Sequence, residues 1–125
     1  MRLLLDTHVI LWGLQDDPHL KPGCRDLISD PNHEVFYSIA SVWEICIKIA
    51  KGNLVVPDDL QLALEYSMFR QLPIKFEHAL EIRALPLHHR DPFDRMLIAQ
   101  ARIENLTLVT RDPRIQKYDV QTMEA

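Results

Sequence analysis

The sequence has 125 residues, of which 47% are hydrophobic and 26% are charged, with a formal net charge of −4. This length and composition fit one globular domain over residues 1–125 and exclude a disordered chain. The negative net charge argues against a protein that holds nucleic acid by a broad basic surface, but it allows an enzyme that handles phosphates through bound cations.

Export and membrane insertion are not expected. Asp6 interrupts the apolar residues near the start, and no apolar stretch reaches the length of a membrane-spanning helix. The two cysteines, Cys24 and Cys46, have no CxxC spacing, so a reducing compartment without disulfides is the default. We therefore expect a cytoplasmic protein with no membrane partner.

Predicted strands and helices alternate along the chain. The predicted strands lie at residues 2–5, 34–39 and 106–110, with a strand or extended link at 72–76 and an edge strand at 119–123. The predicted helices lie at residues 7–15, 21–29, 41–54, 57–69, 77–85 and 92–105, followed by a helical turn at 112–118. This alternation predicts an α/β fold with a parallel sheet that is covered by helices on both faces.

The predicted helix 41–54 is unusually apolar. Its sequence, SVWEICIKIAKGNL, places apolar residues around most of the helix and ends at the stop signal Gly52. We therefore expect this helix either to be buried on more than one side or to meet another subunit. Trp43 in this helix, like Trp12, is interpreted as a core or interface residue and not as a platform for stacking bases.

Four acidic residues flank the predicted strands at what should be one edge of the sheet. Asp6 directly follows the first predicted strand, and Asp112 comes two residues after the strand that ends at Thr110. Glu44 lies one turn into the helix after the second predicted strand, and Asp94 lies in the first turn of the helix before the Thr110 strand. Because sites in parallel sheets form beyond the carboxyl ends of strands, we expect the four carboxylates to project towards one rim.

Carboxylates gathered in this way favour a particular chemistry. They repel one another and lose hydration, so at neutral pH they need cations or shifted pKa values. Oxygen-only ligands suit Mg²⁺ or Mn²⁺. Mg²⁺ usually combines a few carboxylates with waters and substrate phosphate oxygens, so the pattern indicates phosphoryl transfer or phosphodiester hydrolysis with a metal-activated water.

Each acid also has a purely structural interpretation. Asp6 could cap the helix that follows it, and Glu44 could pair with Lys48 four residues later, which would contribute only ~0.3–0.5 kcal/mol. Asp94 could be an ordinary acid of a first helical turn. Asp112 could open a turn before a proline.

The residues in front of the helix that contains Asp94 add further candidates. Asp91 directly precedes Pro92, which makes Asp91 the predicted N-cap and leaves Asp94 for the metal. The adjacent pair His88 and His89 suggests zinc, but no further histidine or cysteine has a suitable spacing. We therefore favour a structural or substrate-contacting role for both histidines over metal ligation.

Four stretches of the sequence together resemble the PIN-domain ribonucleases, and most closely the VapC-type toxins of bacterial toxin–antitoxin pairs. These stretches are LLLDTHVILWGL, SVWEICIKIAKGNL, LPLHHRDPFDRMLIAQA and LTLVTRDPRIQKYDV. They occur in the family's order and span nearly the whole chain. The resemblance implies a three-layer α/β/α sandwich with a central, mainly parallel sheet, and a Mg²⁺- or Mn²⁺-dependent endoribonuclease.

The resemblance also implies site residues and partners. It maps the family's catalytic and metal-binding acids onto Asp6, Glu44, Asp94 and Asp112, with the Thr110 hydroxyl in support. It implies an RNA substrate, a homodimer, and a cognate antitoxin whose tail covers the acidic groove. As further candidates, Arg95 and Arg111 adjoin the acids in sequence and could contact substrate phosphates.

Three other functions stay open at this point. The first is an RNA-processing PIN nuclease that is not a toxin. The second is a metal-dependent phosphatase, which would need a second aspartate two residues after a nucleophilic aspartate, whereas His8 occupies that position after Asp6. The third is a nuclease-like protein-binding module without activity, and the presence of all four acids argues against it.

Overall fold

The computed structural model describes residues 1–56 and 59–125. The strands are β1 (Arg2–Leu5), β2 (Glu34–Ser38), β3 (Arg70–Leu72), β4 (Thr107–Thr110) and β5 (Thr122–Glu124). The helices are α1 (Thr7–Leu14), α2 (Pro22–Ser29), α3 (Ile39–Ala50), α4 (Leu60–Ser67), α5 (Phe76–Glu81) and α6 (Pro92–Glu104), with short 3-10 helices at Ile82–Ala84 and Ile115–Lys117. The predicted alternation of strands and helices is confirmed.

The strands form one sheet in the order β3-β2-β1-β4-β5, and every neighbouring pair is parallel. β1 lies at the centre, where Leu3 pairs with Val35 on one side and with Thr107 on the other. The chain builds outward from β1 to β3 and then returns to β4 on the other side of β1. The boundary between β1 and β4 is therefore the topological switch point, where parallel sheets form their binding sites.

Helices cover both faces of the sheet, as the three-layer prediction requires. Successive residues of a strand point to opposite faces, so Leu3 and Leu5 join one buried cluster and Leu4 joins the other. The first cluster includes residues of α1, α2 and α4, and the second is built mainly on Leu97 and Ile98 of α6. The site at the edge of the sheet is thus held between two packed layers.

Several predicted boundaries differ from the structure by a few residues, and those of the third strand and the fourth helix have clear causes. The third strand is Arg70–Leu72 and not residues 72–76. Proline cannot donate to a strand ladder, so Pro73 ends the strand. The predicted helix 57–69 is observed as Leu60–Ser67, with the Asp59 side chain accepting from Gln61 N at 3.0 Å, while the predicted start at Pro57 and Asp58 lies outside the described residues.

The α3 helix exposes apolar surface. Ala40 and Ile45 are buried, but Trp43 and Ile49 of the same helix are 59% and 41% exposed. Burial of α3 on several sides is therefore wrong within this chain, and so is a core position for Trp43. The alternative, a contact with another subunit, stays a prediction. Among the described residues, no helix is long and apolar enough to cross a membrane.

Candidate active site

A cavity of about 310 Å³ opens at the carboxyl ends of the central strands, beside the β1–β4 boundary. We call this cavity the acidic pocket. Its lining includes every acid that the sequence analysis proposed for a metal site, and also the predicted N-cap: Asp6, Glu44, Asp91, Asp94 and Asp112. Residues that are far apart in the sequence therefore meet at the predicted rim.

Asp6 links β1 to α1 and is held by hydrogen bonds to α1 and to β4. Its backbone N–H donates to Val109 O at 3.0 Å, which ties it to β4. Its carboxylate accepts from Thr7 N at 2.6 Å and from the Thr110 hydroxyl at 2.8 Å. Burial raises the pKa of Asp6, and the Thr110 hydrogen bond opposes this rise. Asp6 is therefore the N-cap of α1 and also lines the acidic pocket, and its role as a metal ligand stays a prediction.

Glu44 projects from α3 into the acidic pocket and is buried. The Thr7 hydroxyl donates to its Oε1 at 2.7 Å and lies 2.9 Å from the Ser41 hydroxyl. The ammonium group of Lys48 lies 3.0 Å from its Oε2, so the expected pair one helical turn apart is present inside the pocket. Thr7 was missed from the sequence because nothing in its position after Asp6 shows that it reaches α3.

Asp94 enters the acidic pocket from the third position of α6. Asp91 caps this helix as predicted, because its carboxylate accepts from Phe93 N at 2.8 Å and from Asp94 N at 3.1 Å. Burial, together with the negative charges of Asp6 and Asp91, raises the pKa of Asp94 to about 7, although His89 opposes the rise. The protein alone therefore leaves this carboxylate poorly neutralised.

Asp112 follows β4 and is paired with a cation that the sequence analysis did not single out. Arg114 approaches its carboxylate with Nη2 at 3.1 Å and Nε at 3.2 Å, and the Arg114 backbone N–H donates to it at 2.9 Å. Burial alone would raise the pKa of Asp112, but the hydrogen bonds and charge of Arg114 lower it overall. The turn interpretation of Asp112 is thus also observed, within the pocket.

His89 lies against two of these acids. Its Nε2 is 2.6 Å from Asp94 Oδ2 and 3.6 Å from Asp112 Oδ2, and the residue is buried. The neighbouring His88 is exposed and contacts the Tyr118 ring edge-on, with ring centroids 5.1 Å apart. The sequence could not separate the two histidines, because only the path of the backbone into α6 decides which ring turns inward.

The two arginines proposed to contact phosphates have different positions. Arg95 is not among the described residues that line the acidic pocket. Its guanidinium donates to Pro86 O at 3.0 Å, His89 O at 3.3 Å and the Tyr118 hydroxyl at 3.2 Å. The donors of Arg95 thus hold the segment before α6, and its contact with a phosphate stays a prediction.

Arg111 does line the acidic pocket, but its guanidinium is largely engaged. It lies over the Trp12 ring with 4.7 Å to the ring centroid and donates to Ala125 O at 2.7 Å and to His19 O. Trp12 is half-buried, packs against the core and forms part of the pocket wall. Cations with exposed side chains at the pocket are instead Lys48 and Arg114, both paired with acids.

The donor set of the acidic pocket fits a hard divalent cation. Its carboxylates come from both sides of the β1–β4 boundary, and two of them lie at the amino ends of α1 and α6. Burial, followed by the negative charges of Asp6 and Asp91, raises the pKa of Asp94, so a bound cation would favour the ionised form of this carboxylate. Oxygen donors with this excess of charge are the usual ligands of Mg²⁺ and Mn²⁺.

Comparison with known proteins identifies the family. The sequence pattern of the PIN domain matches residues 3–121, so the chain belongs to the PIN domain family. This membership supports nuclease activity in general terms, and PIN domains generally use divalent metals. A comparison with curated proteins gives no match.

Solved structures share the fold over almost the full chain. VapBC2 from Rickettsia felis, bound to a DNA fragment from its promoter, gives a TM-score of 0.71 at 17% identity, covering 99% of this chain and 98% of that chain. The DNA-bound VapBC from Salmonella typhimurium gives 0.71 at 18% identity with the same coverage of 99% and 98%. FitAcB from Neisseria gonorrhoeae gives 0.67 at 24% identity, covering 97% and 96%. The predicted PIN-like fold is thereby confirmed.

Proposed function

We propose that residues 1–125 form a single PIN nuclease domain that hydrolyses RNA phosphodiester bonds with Mg²⁺ or Mn²⁺ as an endoribonuclease. We further propose that it is the toxin of a toxin–antitoxin pair. The observation that carries the proposal is the acidic pocket, where Asp6, Glu44, Asp94 and Asp112 line one cavity. Membership in the PIN domain family supports the nuclease class.

Asp6 and Asp94 are the proposed primary metal ligands, and Glu44 and Asp112 complete the site directly or through water. A bound divalent cation supplies Lewis acidity towards the scissile phosphate and lowers the pKa of its water. The chain's own contribution is to hold the ligands in place. The Thr110 hydroxyl orients Asp6 at 2.8 Å, and the Thr7 hydroxyl orients Glu44 at 2.7 Å.

Lys48 and Arg114 are the proposed contacts to the RNA backbone. Each is paired with an acid of the pocket, at 3.0 Å for Lys48 with Glu44 and 3.1 Å for Arg114 with Asp112. A cation shared among the carboxylates weakens these pairs, because the same negative charge then serves two positive groups. The ammonium and guanidinium groups would then be available for phosphate oxygens on either side of the scissile bond.

The proposed protein partners are a cognate antitoxin and a second copy of this chain, in the cytoplasm. The antitoxin is supported by the similar solved structures, several of which are named as VapBC complexes. The homodimer is supported by the exposed apolar residues of α3, which include Trp43 and Ile49. Exposed apolar patches of this kind often mark interaction sites.

Cleavage of end-labelled structured RNAs, with Mg²⁺, Mn²⁺ or EDTA, tests the proposed reaction. We expect cuts only with a divalent cation, and none from Asp94→Asn. The matched control is Asp26→Asn, which makes the same change in charge at an exposed position outside the pocket lining and should cleave normally. A mass spectrum checks that no antitoxin copurifies. Antitoxin-free protein that binds the cation but cuts none of a broad RNA pool would contradict the proposal.

Growth of cells that express the chain tests the toxin role separately. Wild-type protein should arrest growth, and Asp94→Asn should not. Unimpaired growth with soluble, RNA-cleaving wild-type protein would contradict the toxin role while leaving the nuclease intact. The chain would then be an RNA-processing enzyme.

A further inference from the structure

His89 is buried directly behind two acids that line the acidic pocket, Asp94 and Asp112. The residue is only 6% exposed. Its backbone N–H donates to the Tyr118 hydroxyl at 2.9 Å, and its carbonyl accepts from Arg95 Nη1 at 3.3 Å. Both backbone groups are therefore satisfied by side chains from other elements. This arrangement holds the backbone of His89 in place independently of any contact that the imidazole makes.

The imidazole nitrogen is directed at two carboxylates at once. Nε2 lies 2.6 Å from Asp94 Oδ2 and 3.6 Å from Asp112 Oδ2. One ligand atom from each of these three residues falls within 4.8 Å of the other two. Neighbouring ligands of an octahedral cation are roughly 3 Å apart, given metal–oxygen distances of about 2.1 Å. The two observed separations lie on either side of that value.

We propose that His89 Nε2 is itself a ligand of the divalent cation, with Asp94 and Asp112, and that it biases the site towards Mn²⁺ over Mg²⁺. The inference rests on the proposed metal-dependent function and specifies its ligand set. It departs from an all-oxygen site, which the sequence analysis expected.

The bias towards Mn²⁺ follows from ligand chemistry. Mg²⁺ prefers oxygen ligands and gives up its waters reluctantly, whereas imidazole suits transition metals, and Mn²⁺ accepts it more readily than Mg²⁺ does. A neutral imidazole also adds a ligand without adding to the repulsion among the carboxylates. Replacement of this nitrogen should therefore lower the affinity for Mn²⁺ more than the affinity for Mg²⁺.

The alternative role for His89 is to hydrogen-bond a metal ligand without binding the metal itself. In that role its N–H would donate to Asp94 and merely orient a carboxylate ligand, and its loss could lower metal affinity to a similar degree. Affinity alone cannot distinguish the two roles. Magnetic coupling between the nitrogen and the metal can distinguish them, because only a coordinated nitrogen couples strongly to the unpaired electrons of Mn²⁺.

The test is pulsed electron paramagnetic resonance of Mn²⁺ bound to protein whose six histidines carry ¹⁵N. We expect coupling from a coordinated histidine nitrogen in the wild type, in His88→Ala and in His8→Ala, and its loss in His89→Gln. His88 is the exposed neighbour in the sequence, and His8 is the histidine that lines the acidic pocket directly. Titration calorimetry should show Mn²⁺ affinity reduced at least tenfold in His89→Gln, with Mg²⁺ affinity changed less.

The outcomes separate this inference from the proposed function. Bound Mn²⁺ without nitrogen coupling in the wild type, or coupling that survives in folded His89→Gln, would overturn the His89 ligand and leave the metal-dependent nuclease standing. Equal losses of Mn²⁺ and Mg²⁺ affinity would overturn the bias between the metals. A wild-type protein that binds no Mn²⁺ at all would overturn the proposed metal site as well. If His89→Gln does not fold, the other spectra still decide the first point, because absence of coupling in the wild type, or its loss in His8→Ala or His88→Ala, would overturn the His89 ligand.

Discussion

At the end of β4, the Thr110 hydroxyl donates to the buried carboxylate of Asp6 across 2.8 Å. Hydrogen bonds to charged groups contribute about 1.5–3 kcal/mol, and loss of such an outer partner typically costs 10- to 100-fold in metal affinity or activity. We expect Thr110→Val to reduce cleavage by that factor while the fold persists. The control is Thr107→Val on the same strand, whose hydroxyl makes only a long, exposed contact of 3.4 Å with Gln121. Equal rates for the two variants would contradict the role of Thr110.

The raised pKa of Asp94 predicts how stability depends on pH without metal. The pKa is about 7 in the folded protein against an ordinary value of 3.8, so between these pH values the folded state holds a proton that the unfolded chain has released. Stability must therefore fall as pH rises through this window. The raised pKa of Asp6 acts in the same direction, whereas the lowered pKa of Asp112 acts at lower pH.

Thermal unfolding in EDTA measures this effect. From pH 5 to pH 7.5 we expect the wild-type Tm to fall by at least about 4 °C, which corresponds to about 1 kcal/mol in a domain of this size. Asp94→Asn should show a smaller fall, and Mn²⁺ should restore the wild-type Tm at pH 7.5 because it binds the ionised carboxylates. A wild-type Tm that rises over this range would contradict the assignment of the buried charge.

Arg95 and Arg114 are predicted to have different roles: Arg95 stabilises the fold, and Arg114 contacts the RNA backbone. Arg114 pairs with an acid at the mouth of the pocket, so Arg114→Ala in an Asp94→Asn background should weaken RNA binding and reduce the slope of log affinity against log salt by about 1. Arg95→Ala should instead lower Tm, because several carbonyls lose their donor. Filter binding at several salt concentrations, with melting curves, tests both. A reduced slope of log affinity against log salt for folded Arg95→Ala would contradict this difference in roles.

At the scale of elements, α3 has one side in the core and one side open. Trp43 is 59% exposed and meets the Phe93 ring edge-on, with centroids 5.0 Å apart. If this side joins two copies, Trp43→Glu should convert a dimer to a monomer while lowering Tm little. Light scattering after size-exclusion chromatography measures the mass. Phe76→Glu is the control, since Phe76 is 79% exposed on α5. A Trp43→Glu variant that stays dimeric would exclude this face as the interface.

The elements that could be predicted from the sequence are those with strong local signals. β1 and β4 are apolar because both their faces are buried, and α6 begins where Asp91 and Pro92 form a cap. The predicted position of β3 was wrong because its three residues, RQL, carry no strand pattern. The position of this strand depends on its pairing with β2. Local sequence does not encode such a pairing partner.

The residues of the site also fall into those whose positions could be predicted from the sequence and those whose positions could not. That the four acids meet at one edge could be predicted, because Asp6 and Asp112 follow parallel strands and Glu44 and Asp94 lie near helix starts at the same edge of the sheet. The inward turn of His89 and the engagement of Arg95 could not, because both depend on how the segment before α6 packs against Tyr118. Arg114 was missed because its pairing with Asp112 becomes meaningful only when Asp112 is known to line the pocket.

For the whole molecule, the sheet order is what assembles the pocket. With the order β3-β2-β1-β4-β5, the first and fourth strands are neighbours at the centre. Asp6 and Thr110, which are 104 positions apart, therefore form one hydrogen bond. Because α3 and α6 both reach the same edge, they add Glu44 and Asp94 from either side. The function proposed for this protein depends on that convergence more than on any single residue.

The most direct test of this account is anomalous diffraction at the manganese edge from crystals soaked in MnCl₂. We predict an anomalous peak inside the acidic pocket, within about 2.2 Å of an Asp94 carboxylate oxygen and bounded by Asp6 and Asp112. The same soak of Asp94→Asn crystals should weaken or remove the peak. Manganese found only outside the pocket, with the four carboxylates uncoordinated in crystals that admit the ion freely, would contradict the claim that they form one metal centre.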